Sequence, residues 1–476
     1  MVRYDSAEGR WILAASVLGS GIAALDATVV NVALPAIGKD LNADVAGLEW
    51  VITGYMLTLA SLILLGGGLG DRYGRRRIFL IGVGWFTVAS VLCGLAPNLG
   101  TLIAARLLQG IGGALLTPAS LAILEASFVP TDRARAIGAW SGLGGVATAL
   151  GPFAGGWLIS AVSWRLVFLL NVPLAVIVVI AARHIPETLD PTSAHHLDIL
   201  GTVVGTAGLA GLTFGLIERE LVPGVVGLLL LVVFVLVERS SRDPLVPVGI
   251  FRSRQFTAAN LFTVTVYAAL SVNFFLLAVE LQQALGYSPT GAGAALLPIT
   301  FVMLGLSARA GALASRIGPR MPMTIGPLLV TAGLLLMTRI EPGTDYITDV
   351  LPAVLVMGFG LSLTVAPLTA TVLAAASDEH AGIASGINNA VARVAGLLAI
   401  ATIPGVAGIT GNAYLDPNAL TDGFHKAMVI AAVLTTAGAV IAFVGISDCE
   451  LHGPTCRQSH CSLDAPPLRG ATSTQA

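Results

Sequence analysis

Charge is what this sequence has least of. Acidic and basic residues make up 11% of its 476 positions, against roughly a quarter in soluble domains, so a globule with a solvated charged surface is excluded. Lysine is nearly absent, with Lys39 and Lys426 the two present. A Walker phosphate loop needs a lysine after glycine and before serine or threonine, whereas Lys39 precedes Asp40 and Lys426 follows His425. ATP hydrolysis by this chain is thereby excluded. A net charge of −2 leaves no footprint for nucleic acid. Cysteine occurs four times, too few for a disulfide framework in so long a chain, and Cys93 lies in an apolar run. Cys449, Cys456 and Cys461 share the last stretch with His452 and His460 at a spacing that matches no standard zinc pattern. Residues 448–476 are therefore expected to form a disordered cytoplasmic tail, with no metal and no other cofactor.

What the sequence has instead is hydrocarbon, with 55% apolar residues. Fourteen apolar runs of spanning length follow one another, approximately 11–37, 46–69, 78–96, 100–126, 134–160, 164–184, 198–217, 222–238, 256–284, 290–310, 321–339, 349–373, 382–408 and 425–446. The first is too long for the apolar core of a cleaved signal peptide and reads as a retained spanning helix. With the N-terminus inside, eighteen of the 25 basic residues fall on the inner side and five outside, with Arg106 and Arg393 left within helices. That asymmetry predicts a multi-pass protein of the inner or plasma membrane with both termini cytoplasmic.

The chain is organised around Gly66–Arg77, GGGLGDRYGRRR, where an apolar run ends in an acid and four arginines. The glycines let two helices approach closely, Asp71 can sit against the positive end of a neighbouring helix, and the arginines hold the loop at the inner surface. A second copy of the pattern lies at Gly311–Arg320, where Leu313, Arg316, Gly318 and Arg320 match Leu69, Arg72, Gly74 and Arg76, and Ser315 replaces the acid. The stretch from Gly110 through Pro118 and Asp132 to Gly138 is echoed from Gly358 through Pro367 and Asp378 to Gly386. Arg72 and Arg316 are 244 positions apart, and Asp132 and Asp378 246, so two parallel halves are the economical explanation. The placing of Gly67, Leu69, Asp71, Arg72, Gly74, Arg75 and Arg76 resembles the loop between the second and third helices of the major facilitator superfamily. That resemblance implies an all-α polytopic fold of two six-helix bundles. The pair of runs near 198–238 then fits the two inserted helices of its fourteen-helix branch. The expected division is a first bundle at 1–184, the insert and its linking loops at 185–255, a second bundle at 256–447, and the tail.

Two charged residues stand where a bilayer disfavours them. Asp26 lies fifteen residues after Trp11, roughly 22 Å along the helix and well inside the membrane. Burial disfavours a charged carboxyl, so an acid there fits a proton- or cation-binding site facing a central cavity; the alternative is a packing acid bonded to a neighbouring helix. Arg106 lies in the fourth helix with Gln109 one turn later on the same face. It fits a partner for a proton-relay carboxyl or a substrate contact, with snorkelling to the surface as the alternative. LDATVVNVALPAI and RLLQGIGGALLTP resemble the first- and fourth-helix motifs of drug:proton antiporters, which implies a proton-transfer role for the arginine. In the fifth helix Gly138, Gly142, Gly145, Ala149, Pro152 and Gly156 form one small-residue face suited to close contact and bending. GLGGVATALGPFAGG, with Gly142, Gly145, Gly151, Pro152, Gly155 and Gly156, resembles the motif that marks exporters in the superfamily.

Four further assignments complete the reading. Gly386, Asn389, Arg393 and Gly396 share a face of the thirteenth helix, which makes Asn389 and Arg393 candidates for coupling or substrate binding. Glu280 is expected near the outer surface as a solvated acid, because it comes about twenty-four residues into the ninth helix. Asp132, Arg133 and Arg135 are expected to face the Asp71 loop as a cytoplasmic latch. Trp50, Tyr55, Phe262, Tyr267, Phe274 and Phe275 are candidate cavity aromatics. The resulting expectation is a monomeric secondary exporter of drugs, antibiotics or other small lipophilic compounds, driven by protons, with sodium left open. Export of an endogenous metabolite or of a single antibiotic is the first alternative. A membrane enzyme or sensor, for which no catalytic cluster appears within the helices, is the other.

Overall fold

The computed structural model describes residues 1–189, 198–241, 244–375, 381–411 and 416–448. The expected tail beyond 448, and Asp378 of the internal echo, lie outside the described residues. Ser6, Asp44, Asn98, Ser253, Ser288 and Asp416 each accept a backbone N–H in the first turn of a helix, which fixes where six of the spans begin. The first bundle comprises α1 (Ala7–Leu41), α2 (Val45–Tyr73), α3 (Arg75–Gly94), α4 (Leu99–Ser127), α5 (Pro130–Ala161) and α6 (Arg165–His184). Then come α7 (Ile199–Ile217) and α8 (Leu221–Ser240). The second bundle is α9 (Arg254–Gln283), α10 (Pro289–Ile317), α11 (Arg320–Met337), α12 (Tyr346–Ala374), α13 (Ala381–Val406) and α14 (Pro417–Gly445). Thirteen of these are long and apolar enough to cross a membrane, and α5, with 32 residues, makes the fourteenth.

The internal repeat is visible in the packing. In the first bundle α4 packs against α2 and α3, α1 against α5 and α6, and α3 against α6. The second bundle reproduces each pairing, with α12 against α10 and α11, α9 against α13 and α14, and α11 against α14. The break after the second helix is also repeated. Gly74 has φ 108° and Gly318 φ 91°, a region that disfavours a Cβ. Beside each, an acid that follows the last helix of its bundle accepts a backbone N–H at the start of the next helix. Glu187 takes that of Arg76 at 3.1 Å, and Asp448 that of Arg320 at 3.0 Å.

The bundles meet tightly at the end away from Gly66–Arg77. A Cβ on Gly156 of α5 would overlap the Pro289 carbonyl at the start of α10, and one on Gly293 would overlap the Pro152 carbonyl. Thr290 Oγ1 donates to the Gly156 carbonyl at 3.0 Å, and Gln282 Nε2 on α9 donates to Val32 O on α1 at 3.0 Å. Toward the arginine-rich end α5 leaves this contact, and a Cβ at Gly138 or Gly144 would meet nothing within 4 Å. Side-chain bulk at Gly156 should therefore pry the closed end apart. In a protein carrying Ser160→Cys and Thr290→Cys, whose native side chains are 2.9 Å apart, oxidative cross-linking should fall severalfold on adding Gly156→Leu. An unchanged yield would contradict the contact.

The insert lies against both bundles. α7 packs on α2 and α13, and Leu209 joins Leu57 of α2 and Leu397 of α13 in one apolar cluster. Gly208, Gly211 and Gly215 bring the α8 backbone close to α7, whereas α8 itself is almost wholly exposed, as a bilayer-facing helix is. At the hairpin tip Glu218 accepts Trp50 Nε1 at 2.8 Å. Trp50, expected among the cavity aromatics, is thus committed to the insert.

Candidate proton-coupling site in the first bundle

Four helices of the first bundle converge on Asp26. α1 contributes the acid, α4 Arg106 and Gln109, α3 Ser90 and Cys93, and α6 Asn171; all six are buried. Arg106 Nη1 donates to Asp26 Oδ2 at 2.5 Å and to Gln109 Oε1 at 2.6 Å. Arg106 Nε reaches back to the Val51 carbonyl of α2 at 2.9 Å. The other carboxylate oxygen, Oδ1, accepts Gln109 Nε2 at 2.8 Å and Asn171 Nδ2 at 3.3 Å. Ser90 Oγ accepts from Gln109 at 2.7 Å and from Asn171 at 3.1 Å, and Cys93 Sγ lies 3.6 Å from Gln109 Oε1. The guanidinium is 4.4 Å from the Tyr55 ring centroid and 5.7 Å from that of Phe168, within cation–π range. A buried ion pair persists only when its remaining hydrogen-bonding capacity is met by neighbours, and this cluster meets nearly all of it. The exception is Asn171 Oδ1, buried without a partner among the described residues. The snorkelling alternative does not hold for Arg106, which is 1% exposed.

Among the described residues the second bundle has no buried ion pair of its own. Asn273 of α9 is buried, and its Nδ2 lies 3.4 Å from Met357 Sδ of α12.

The exporter-like segment of α5 sorts into two contacts. A Cβ on Gly151 would meet Thr28 and one on Gly155 would meet Val29, both just beyond Asp26 on α1, while Pro152 and Gly156 face α10. Gly142 and Gly145 lie on α5, with their surroundings outside the described residues. In the Gly67–Arg76 segment, Asp71 pairs with Arg75 at 2.8 Å, one turn later.

Two expectations need correction. Glu280 is fully buried and accepts Thr421 Oγ1 at 2.5 Å. α14 begins at Pro417, two turns before the apolar run, and those turns cover the acid. Asp132 and Arg135 do not reach the Asp71 loop; Asp132 Oδ2 accepts the Tyr4 N–H at 2.9 Å, and Arg135 pairs with Asp5 at 3.2 Å. The first residues form a bridge in which Val2 N donates to Ser127 O and Val129 N to Val2 O, which sets Tyr4 and Asp5 beside Asp132 and Arg135. Asn389 and Arg393, the candidates for coupling or substrate binding on α13, bond to each other. Arg393 Nε donates to Asn389 Oδ1 at 3.3 Å, within electrostatic reach of Tyr55 and Tyr267.

Ser90, Asn171 and Cys93 were not singled out as site residues from the sequence. The available signal was a lone amide in the apolar run NVPLAVIVV.

Comparison with known proteins gives a consistent result. Residues 16–400 match the Major Facilitator Superfamily. The puromycin resistance protein pur8 of Streptomyces alboniger is 36% identical, over 91% of this chain and 90% of the relative. The tetracenomycin C resistance and export protein of Streptomyces glaucescens is 34% identical over 82% and 74%. The multidrug resistance protein Stp of Mycobacterium tuberculosis is 32% identical over 85% and 77%. Among solved structures, a bacterial homologue of the human lysosomal transporter Spinster superposes with a TM-score of 0.65 at 18% identity, covering 93% of this chain and 97% of that one. A peptide-bound transporter of the POT family gives 0.68 at 14%, covering 90% and 94%.

Proposed function

Because the chain belongs to the major facilitator superfamily, we propose that it is a secondary exporter that moves antibiotics or other small lipophilic compounds out of the cell in exchange for protons. The observation that carries this reading is the Asp26–Arg106 pair, the one fully buried ion pair among the described residues, placed where α5 and α1 touch beside the closed end of the molecule. A fixed ionic pair in a bilayer is costly to keep and marks function. Arginine asymmetry supports a cytoplasmic location for the arginine-rich end and both termini, in the inner or plasma membrane, and we propose that the protein works as a monomer.

In the cycle we propose, substrate enters from the arginine-rich end while Asp26 is ion-paired. Rocking of the bundles separates Gly156 from Pro289 and Gln282 from Val32, and opens the opposite end. There substrate leaves and Asp26 takes a proton. The protonated carboxyl turns from acceptor to donor, and rotation of the Asn171 amide offers it the unpartnered Oδ1. Arg106 keeps the Gln109 and Val51 oxygens as acceptors, so the neutral form of Asp26 is tolerated during return. Proton and substrate thus favour opposite forms of one carrier.

The relatives resistant to a single named antibiotic favour a second reading, a pump dedicated to one compound. The experiment that tests both is transport in proteoliposomes under an imposed pH gradient, across a panel of lipophilic cations and neutral drugs including puromycin. Export of many compounds supports the broad reading and export of one the narrow reading. Transport indifferent to the pH gradient would overturn proton coupling.

A further inference from the structure

Outside the coupling site, the C-terminal bundle carries a groove that the transport cycle does not use. It lies between α9 and α14 at the arginine-rich end, has a volume of about 490 Å³, and runs along Thr257, Ala258, Leu261, Val440, Val444 and Gly445. Its origin is in the sequence. Ala258 and Gly445 face each other so closely that a Cβ on Gly445 would meet that of Ala258, and these small residues leave the space that flanking bulk would fill. The walls are apolar because Thr257 Oγ1 turns away and donates to the Phe251 carbonyl at 2.6 Å. Leu261, Val440 and Val444 are 52%, 58% and 61% exposed on helices of spanning length, so the groove opens sideways to the bilayer rather than to the central cavity.

Its mouth is positively charged. Arg254, in the first turn of α9, bends over the groove and donates to the Val444 carbonyl at 2.9 Å. Arg252 is exposed two residues earlier, on the short turn of helix that leads from the insert into the second bundle. At this end Arg75 pairs with Asp71 and Arg135 with Asp5. Among the described residues no acid pairs with Arg252 or Arg254. An apolar trough in a spanning region, ending in two arginines without counter-ions, is complementary to a chain of hydrocarbon ending in a phosphate.

We propose that this groove binds one anionic phospholipid of the leaflet at the arginine-rich end, its acyl chain lying between α9 and α14 and its phosphate on Arg254 and Arg252. The lipid would join the linker, the start of α9 and the end of α14, segments also tied by Gln255 Nε2 to Ser447 O at 3.2 Å and Ser447 N to Gln255 Oε1 at 2.8 Å. The headgroup is read as charge, so phosphatidylglycerol should outcompete phosphatidylcholine.

The test is a thermal-unfolding titration of the purified full chain in detergent with phosphatidylglycerol, phosphatidylcholine or inorganic phosphate. At about fivefold in affinity for each arginine near an anionic headgroup, phosphatidylglycerol should half-saturate at roughly 25-fold lower concentration than phosphatidylcholine. Arg254→Gln or Arg252→Gln should each reduce that preference to about fivefold. Val440→Trp, which fills the trough, should abolish the saturable response, with Leu261→Trp as a second filling variant if the first does not fold. Equal responses to the two lipids, a response to inorganic phosphate that matches phosphatidylglycerol, or a preference retained in both arginine variants would each overturn the assignment.

Discussion

Asp26→Asn should bring pH-driven export down to the level of protein-free vesicles while leaving a folded protein that still binds its substrate. Asparagine keeps the shape of the side chain and an acceptor for Arg106 Nη1, so the contact at 2.5 Å has a counterpart, whereas its amide nitrogen cannot accept from Gln109 Nε2 as Asp26 Oδ1 does at 2.8 Å. What it removes is the capacity to gain and lose a proton. Because the proposed cycle passes through a neutral residue at position 26, the variant resembles the protonated form and should be arrested in one branch. Counterflow exchange of substrate down its own gradient should then survive better than uphill export. Measuring both in the same vesicles separates a coupling defect from a folding defect, since misfolding would remove both.

Arg106→Met should have the largest effect on stability. It leaves Asp26 fully buried with no cation, and loss of one partner from a buried pair costs about 3–5 kcal/mol. The double variant Asp26→Asn with Arg106→Met removes both charges and should recover a large part of that loss, as replacement of whole buried pairs by neutral side chains does elsewhere. Chemical unfolding of the wild type, the two single variants and the double variant closes the cycle. Strictly additive losses would mean that the two residues do not act as a pair. The Gly156→Leu cross-linking result bears on the other element of the account, the closed contact of α5 with α10.

Much of this was legible in the sequence because a bilayer punishes polar groups so heavily. Every span that the structure shows coincides with an apolar run, and Asp26, Arg106 and Gln109 stood out because charge inside such a run has few structural reasons to exist. The repeat was legible from Gly74 and Gly318, since positive φ at both positions demands the same residue type. What stayed hidden depended on partners far along the chain. Ser90 and Asn171 are ordinary residues for spanning helices, and become part of the site only because α3 and α6 are folded against α4 and α1. Glu280 was misplaced because the polar first turns of α14 carry no hydropathy signal, yet they are what covers it. The latch expected of Asp132 and Arg135 failed for a similar reason. Charge complementarity alone cannot say that Tyr4 and Asp5 reach those residues first.

The central claim is that substrate and a proton compete through Asp26, and substrate-induced proton release tests it most directly. Purified protein in weakly buffered detergent, equilibrated at a pH where part of the population is protonated, is mixed with a transported compound in the presence of a pH-sensitive dye. The account predicts a proton released by the wild type on substrate addition and none by Asp26→Asn at the same substrate occupancy. Equal release from both proteins, or substrate binding by the wild type with no proton released at any pH, would contradict it.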